Sequence, residues 1–133
     1  MKVNLTTICL VSALIVSGTG LCHADCSTLY ALAQQHANDM ARRNSLDHAG
    51  FMRKRGPRGA VAENVAVGCA DEACVRQVWM KSPQHRANMM IGGCQAIASA
   101  VSKSGRRYWA MEIGGGGGMN GQRDFSIEGQ NAP

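Results

Sequence analysis

The sequence predicts an α/β domain of a sandwich-like kind, in which helices cover a small antiparallel sheet. Three observations carry this prediction. Apolar residues recur with helical spacing from Cys26 to Asn44, a second helical pattern stops at Ser82-Pro83, and two alternating segments flank a turn at residues 102–106. The length of 133 residues fits one domain, which we place at residues 25–114.

Residues 1–24 have the pattern of a secretory signal peptide. Lys2 gives a basic start, a short apolar run follows, and Cys22-His23-Ala24 forms a small-x-Ala cleavage site, with cleavage expected after Ala24. A membrane anchor is the alternative, but the run is shorter than the roughly 20 residues that span a bilayer. Lipid modification of Cys22 is disfavoured because Leu21 stands where a small residue is expected. The mature chain is therefore expected to be secreted or periplasmic, without a membrane span.

Charge and composition narrow the partners of the mature chain. Removing Lys2 with the leader lowers the formal net charge from +5 to +4, a modest excess that suits an anionic cell surface. Aromatic residues make up only 5% of the sequence, so a nucleic-acid partner is not expected, because stacking platforms are lacking. We expect a monomer.

Four cysteines remain after the leader is removed. An even number in a small exported domain predicts two disulfides, and four cysteines allow three pairings. We favour Cys69–Cys74, because the residues between them form a short turn, and this leaves Cys26–Cys94. A four-cysteine zinc site is the alternative, but the paired C-x-x-C spacing is missing.

The first helix is predicted from Cys26 to Asn44, with Asp25 or Ser27 as its cap and Arg42-Arg43 at its negative end. Its apolar face is formed by Leu29, Leu32, Ala33, His36, Ala37 and Met40. A histidine on such a face is more often packed in the core than a ligand, so we interpret His36 as a core residue.

The segment after this helix contains Leu46-Asp47-His48 and then the basic stretch from Arg53 to Gly59. The basic stretch is predicted to be a solvated loop, with a specific anion site as the alternative. Residues 60–68 carry Glu63 among valines and predict either a strand or a short helical turn.

A second helix is predicted before Ser82, with Val75, Val78 and Trp79 on its inner face. Proline disfavours helix in the residue before it, so Ser82-Pro83 ends this helix and opens the next, with Ser82 as cap. By helical spacing, one side of the third helix carries His85, Asn88 and Met89.

A hairpin is predicted from residues 96–101 and 107–113, with Trp109, Met111 and Ile113 on one face of the second strand. Residues 115–133 begin in a glycine run and are predicted to form a flexible tail, in which Phe125 and Ile127 leave a terminal strand as the alternative.

In their order and spacing, these segments resemble the CAP superfamily of cysteine-rich secretory, antigen 5 and pathogenesis-related class 1 proteins, in its compact bacterial secreted form. The segments that carry the resemblance are His48, Ala62-Glu63-Asn64-Val65-Ala66, the run from Trp79 to Met89, and the run from Tyr108 to Gly114. The resemblance implies an α-β-α sandwich with a central cleft.

In that family, two histidines and two acidic residues line the cleft. His48 and His85 match the histidines and Glu63 matches the first acid. The second acid normally follows the tryptophan by about a turn, where this chain has Met80-Lys81-Ser82 and no carboxylate. Glu112 is the only nearby downstream acid, and we do not expect it to substitute.

His48, Glu63 and His85 are thus the candidate site residues. The resemblance implies a secreted binding module, so we expect a lipid, a sterol, or a component of a cell surface or a host as partner, with no required cofactor. The alternative is a metal-assisted hydrolase in which the same three residues hold a divalent metal such as zinc. No nucleophile is evident, because the cysteines are expected to be oxidised and no serine lies in a nucleophile elbow.

Overall fold

The computed structural model describes residues 25–115 of the chain. Its helices and strands are α1 (Cys26–Arg43), a π-turn (Phe51–Arg55), a 3-10 turn (Gly56–Arg58), β1 (Ala60–Val67), α2 (Glu72–Lys81), α3 (Pro83–Met89), β2 (Cys94–Val101) and β3 (Arg107–Gly114). The predicted leader, and the predicted tail beyond residue 115 with Phe125 and Ile127, lie outside the described residues.

Helix α1 begins and ends as its sequence predicts. The carboxylate of Asp25 accepts a hydrogen bond from the backbone N–H of Thr28 at 2.7 Å, which caps the first turn. Asn44 ends the helix in the left-handed conformation, with φ of 52°. All six predicted inner residues, from Leu29 to Met40, are buried.

The three strands form one antiparallel sheet in the order β1-β3-β2. The β2–β3 hairpin confirms the prediction from the alternating segments, and residues 60–67 form a strand rather than a helical turn. Because β3 is the central strand, Glu112 lies between Glu63 on one side and Ala96 on the other.

Helices cover both faces of the sheet, which confirms the predicted sandwich. On one face α1 packs against Val65, Ala98 and Ala110. On the other face Trp79 of α2 packs against Trp109 and other side chains of β3. Successive strand residues point to opposite faces, so Glu63 and Glu112 face α1, whereas Asn64 points towards α2 and α3.

Two expectations about exposure are wrong. Val78 is 47% exposed, because Val75 and Trp79, one turn apart, form the whole inner stripe of the short helix α2. Arg55, expected in a solvated loop, is 4% exposed, because the π-turn directs its side chain inwards to the carboxyl groups of Glu63 and Glu112.

Two disulfides join the predicted pairs. Cys26–Cys94 ties the start of α1 to the start of β2, and Cys69–Cys74 closes the turn before α2. The favoured pairing is therefore confirmed. Within residues 25–115, no helix has the length and apolar character needed to cross a membrane.

Candidate functional site

Glu63 is the centre of a buried polar network beneath α1. Glu63 is 3% exposed, and both of its carboxylate oxygens accept hydrogen bonds. Oε1 accepts hydrogen bonds from His48 Nδ1 at 2.7 Å and from Arg55 Nη2 at 3.0 Å, and Oε2 accepts one from Arg55 Nε. The carboxylate thus holds the loop residue His48 and the π-turn residue Arg55 against strand β1.

Arg55 links this carboxylate to the loop that carries His48. Its guanidinium also donates to the backbone oxygens of Ala49 at 3.0 Å and of His48 at 3.3 Å. The ring of Phe51 lies one turn away, 5.8 Å from the guanidinium carbon. A buried arginine needs such partners, since removing a charge from water without compensation is costly.

Glu112 is the second buried acid of the network. It faces Glu63 across the β1–β3 ladder, is fully buried, and has Oε1 3.0 Å from Arg55 Nε. Burial raises the pKa of Glu112 well above its usual range, and the hydrogen bond to Glu63 and the charge of Glu63 raise it further. Glu112 is therefore the protonated partner of the pair.

Glu63 behaves in the opposite way. Burial acts to raise its pKa, but hydrogen bonds from His48, Glu112 and Arg55 outweigh burial and lower the pKa below its usual range. The network therefore contains one ionised carboxylate, Glu63, which balances the charge of Arg55, and one carboxyl group, Glu112, whose raised pKa keeps it neutral.

His36 lies beside the network, packed in the core as predicted. Its Nε2 is 2.8 Å from the backbone oxygen of Asp47 and 3.6 Å from Glu63 Oε1. Burial lowers the pKa of His36, so the neutral ring donates its N–H to Asp47. Arg43 also donates to the Asp47 carboxylate, at 2.7 Å. Two residues of α1 thereby fix the segment that precedes His48.

His85 reaches the same region from helix α3. Asn64 of β1 donates to the backbone oxygen of His85 at 3.0 Å and accepts from Asn88 Nδ2 at 2.8 Å. Burial, followed by the charge of nearby His48, lowers the pKa of His85. The buried Nδ1 of His85 has no hydrogen-bond partner among the described residues.

The three predicted site residues therefore converge in part. His48 and Glu63 are in direct contact, and His85 lies near enough to His48 for their charges to repel. Within residues 25–115, no hydrogen bond or ion pair joins His85 to Glu63. The two imidazoles are partly exposed, whereas the carboxylate lies behind them in the core.

Comparison with known families decides what kind of domain carries this arrangement. The model of CAP, the cysteine-rich secretory protein family, matches residues 26–113. The chain belongs to the CAP family. The match contains every residue of the polar network, and the observed α/β fold agrees with this membership. No curated protein and no solved structure matches the chain at a significant level.

The CAP domain does not present its candidate residues as a ready metal site. Glu63 uses both oxygens on Arg55 and His48, so it has no free oxygen to share with the two imidazoles in holding a metal. Across residues 25–115, no group of three or more His, Cys, Asp or Glu side chains is arranged to hold a metal ion. His48, Glu63 and His85 do not fit a zinc ion in this arrangement, and zinc binding stays a prediction.

Sequence reasoning did not identify Arg55 and Glu112 as partners of Glu63 in this CAP domain. Arg55 stands among other basic and turn residues, with no apolar periodicity to show that one of them points inwards. A signal for Glu112 was present. Helices on both faces bury every side chain of a central strand, so an acid in β3 requires a buried partner.

Proposed function

We propose that this CAP domain is exported and acts as a binding module. In this proposal, the partly exposed imidazoles of His48 and His85 recognise a polar group of the ligand. The partner is a lipid or sterol, or a component of a cell surface or a host. The observation that carries the proposal is that the Glu63 carboxylate is buried and fully hydrogen-bonded.

The network favours binding because it holds the His48 ring in place and keeps the Glu63 carboxylate buried, where it is not available to a ligand as a base. The Glu63 carboxylate accepts the N–H at Nδ1 of His48, which leaves Nε2 as the ring nitrogen available to a ligand. His85 contributes a neutral ring at neutral pH, since burial and His48 lower its pKa. The His48 ring, preorganised by Glu63, suits a ligand hydroxyl group together with His85, and preorganisation reduces the entropy lost on binding.

A ligand-binding comparison tests the proposal. The oxidised mature chain is titrated into a fluorescent sterol analogue and, separately, a fluorescent fatty acid. The His48→Ala, His85→Ala double variant should bind about 30-fold more weakly, because two hydrogen bonds of about 1 kcal/mol each are lost. A Gln84→Ala, Lys81→Ala variant, altered at exposed neighbours of His85, is the matched control and should bind like the wild type.

Two results would contradict lipid or sterol recognition at the imidazoles. One is equal binding by the wild type and the histidine double variant, and the other is no binding of either probe. In the second case, pull-down from cell-envelope or host-surface fractions, compared between the same variants, tests the remaining partner classes.

The hydrolase alternative has its own test. Zinc is titrated calorimetrically into the wild type and the histidine double variant. One-to-one binding that disappears in the variant would require Glu63 or another ligand to leave its present partners, and would make hydrolysis assays necessary. Absence of zinc binding would contradict the hypothesis of a zinc-assisted hydrolase.

A further inference from the structure

The segment from Met52 to Val61, which we call the basic ridge, has a charge distribution that the polar network does not explain. Arg53, Lys54 and Arg58 are all exposed. None of them forms an ion pair with a described residue. The sequence contains no acidic residue between Asp47 and Glu63, and Glu63 is buried. The ridge is therefore an uncompensated positive surface.

Several arginines elsewhere in the domain form ion pairs. Arg43 pairs with Asp39 and Asp47, and Arg76 pairs with Glu72. Within the ridge itself, Arg55 turns inwards to Glu63. Arg55 is thus the cation of the ridge that stabilises the fold. The exposed Arg53, Lys54 and Arg58 form no ion pair with a described residue, so the stability of the domain does not account for them.

Two exposed apolar residues flank these cations along the chain. Met52 is 67% exposed, although its neighbour Phe51 packs against the core. Val61 is 50% exposed because the β1–β3 register slips there. Ala60 packs with the α1 face and Ala62 with the opposite face, so Val61 is the extra residue of a β-bulge.

Exposed apolar residues among unpaired cations form the pattern that binds the surface of an anionic bilayer. Cations near such a surface are attracted by the negative lipid headgroups, and apolar side chains gain by leaving water at the acyl boundary. Two protruding residues give too little apolar area for a stable protein interface, which buries about 800 Å² on each partner.

We propose that the basic ridge docks this protein on an anionic lipid bilayer. Arg53, Lys54 and Arg58 contact lipid phosphates, and Met52 and Val61 enter the headgroup region. The docking surface is distinct from the His48–His85 pair and does not rest on ligand recognition there.

Vesicle co-sedimentation of the oxidised mature chain tests the proposal. The probes are vesicles of phosphatidylcholine alone and vesicles of phosphatidylcholine mixed with phosphatidylglycerol, each at low and high salt. The wild type should bind the mixed vesicles at low salt, bind them more weakly at high salt, and leave the neutral vesicles unbound.

Variants of the basic ridge should weaken vesicle binding, and the loss should grow with the number of charged or apolar groups removed. Arg53→Gln, Lys54→Gln, Arg58→Gln should bind about 100-fold more weakly, because three cations near the surface are lost. Met52→Ser should lose roughly tenfold, because one buried apolar side chain is lost. Circular dichroism checks that each variant is folded.

The matched control removes the same charge elsewhere. Lys81→Gln, Lys103→Gln, Arg106→Gln has the same formal net charge as the ridge triple variant and alters exposed residues. It should retain most of the binding. Equal losses of vesicle binding in both triple variants would show that binding depends on net charge alone, and would contradict docking by the basic ridge.

Two other outcomes would also overturn bilayer docking. One is equal binding to both kinds of vesicle. The other is binding to soluble polyglutamate without binding to mixed vesicles, which would indicate an acidic macromolecule. The His48→Ala, His85→Ala variant should keep vesicle binding, so a failed ligand assay and a failed docking assay have different signatures.

Discussion

Arg55 and Glu112 show why a residue can be misjudged from its neighbours in sequence. Both belong to types that usually lie at the surface, and Arg55 stands in a stretch of basic residues. In the fold, the π-turn and the central strand bring them to Glu63. Glu112 depends on the long-range β1–β3 pairing, and Arg55 on the fold of the π-turn, and a local sequence pattern contains neither.

The proton on Glu112 predicts an unusual pH dependence. In the unfolded chain this group ionises near its ordinary pKa of 4.5, whereas in the folded protein its pKa is raised. Unfolding above pH 4.5 therefore releases a proton. The stability contributed by this group is complete below that pH and is lost as the pH rises towards the folded pKa.

Glu112→Gln should remove that loss, because the glutamine amide stays neutral as the pH rises. The free energy of unfolding of the variant, relative to wild type, should rise with pH by up to about 1.4 kcal/mol per pH unit above the ordinary pKa. Urea unfolding at several pH values measures the difference. Glu72→Gln, at an exposed ion pair, is the control and should show no such rise. A flat difference for Glu112→Gln would mean that Glu112 is ionised in the folded protein.

At the scale of elements, the predictable parts are those with strong periodicity. Helix α1 has six inner residues in register, and the β2–β3 hairpin alternates around a glycine-containing turn. Strand β1 was ambiguous because a short run of alanine and valine fits a strand or a helical turn equally well. Its pairing with β3 along nearly its whole length decides the matter.

The two disulfides should contribute unequally to stability. Cys26–Cys94 spans a sequence separation of 68, and Cys69–Cys74 a separation of 5. A crosslink restricts the unfolded chain more when its loop is longer, so Cys26→Ser, Cys94→Ser should cost about 2 kcal/mol more than Cys69→Ser, Cys74→Ser. Urea unfolding of each double variant, with the other disulfide oxidised, gives the comparison. Equal costs would show that strain or residual structure outweighs loop entropy.

At the scale of the whole molecule, Asp25 has a role in folding and a predicted place in export. This residue caps α1 and would be the first of the mature chain if the leader is cleaved after Ala24. The adjacent Cys26 must be oxidised to join α1 to β2, which suits an oxidising compartment.

The intact mass of the exported protein should therefore correspond to residues 25–133 with two disulfides. The measurement is mass spectrometry of the secreted or periplasmic fraction, before and after reduction and alkylation, which should modify four cysteines. An uncleaved chain, or free thiols before reduction, would contradict the export prediction. An Ala24→Arg variant is the matched control and should retain the leader, since the cleavage site requires a small residue there.

Trp79 and Trp109 are the only two tryptophans of the sequence, and both are buried on the face opposite the Glu63 network. Their indole N–H groups donate to the backbone oxygens of Val65 at 3.2 Å and of Cys69 at 2.9 Å. The intrinsic fluorescence of the protein therefore comes from the packed α2 layer. It should shift to longer wavelength on unfolding and brighten when the quenching Cys69–Cys74 disulfide is reduced. Occupancy of the basic ridge should leave it unchanged, so one optical signal separates loss of structure from docking at the ridge.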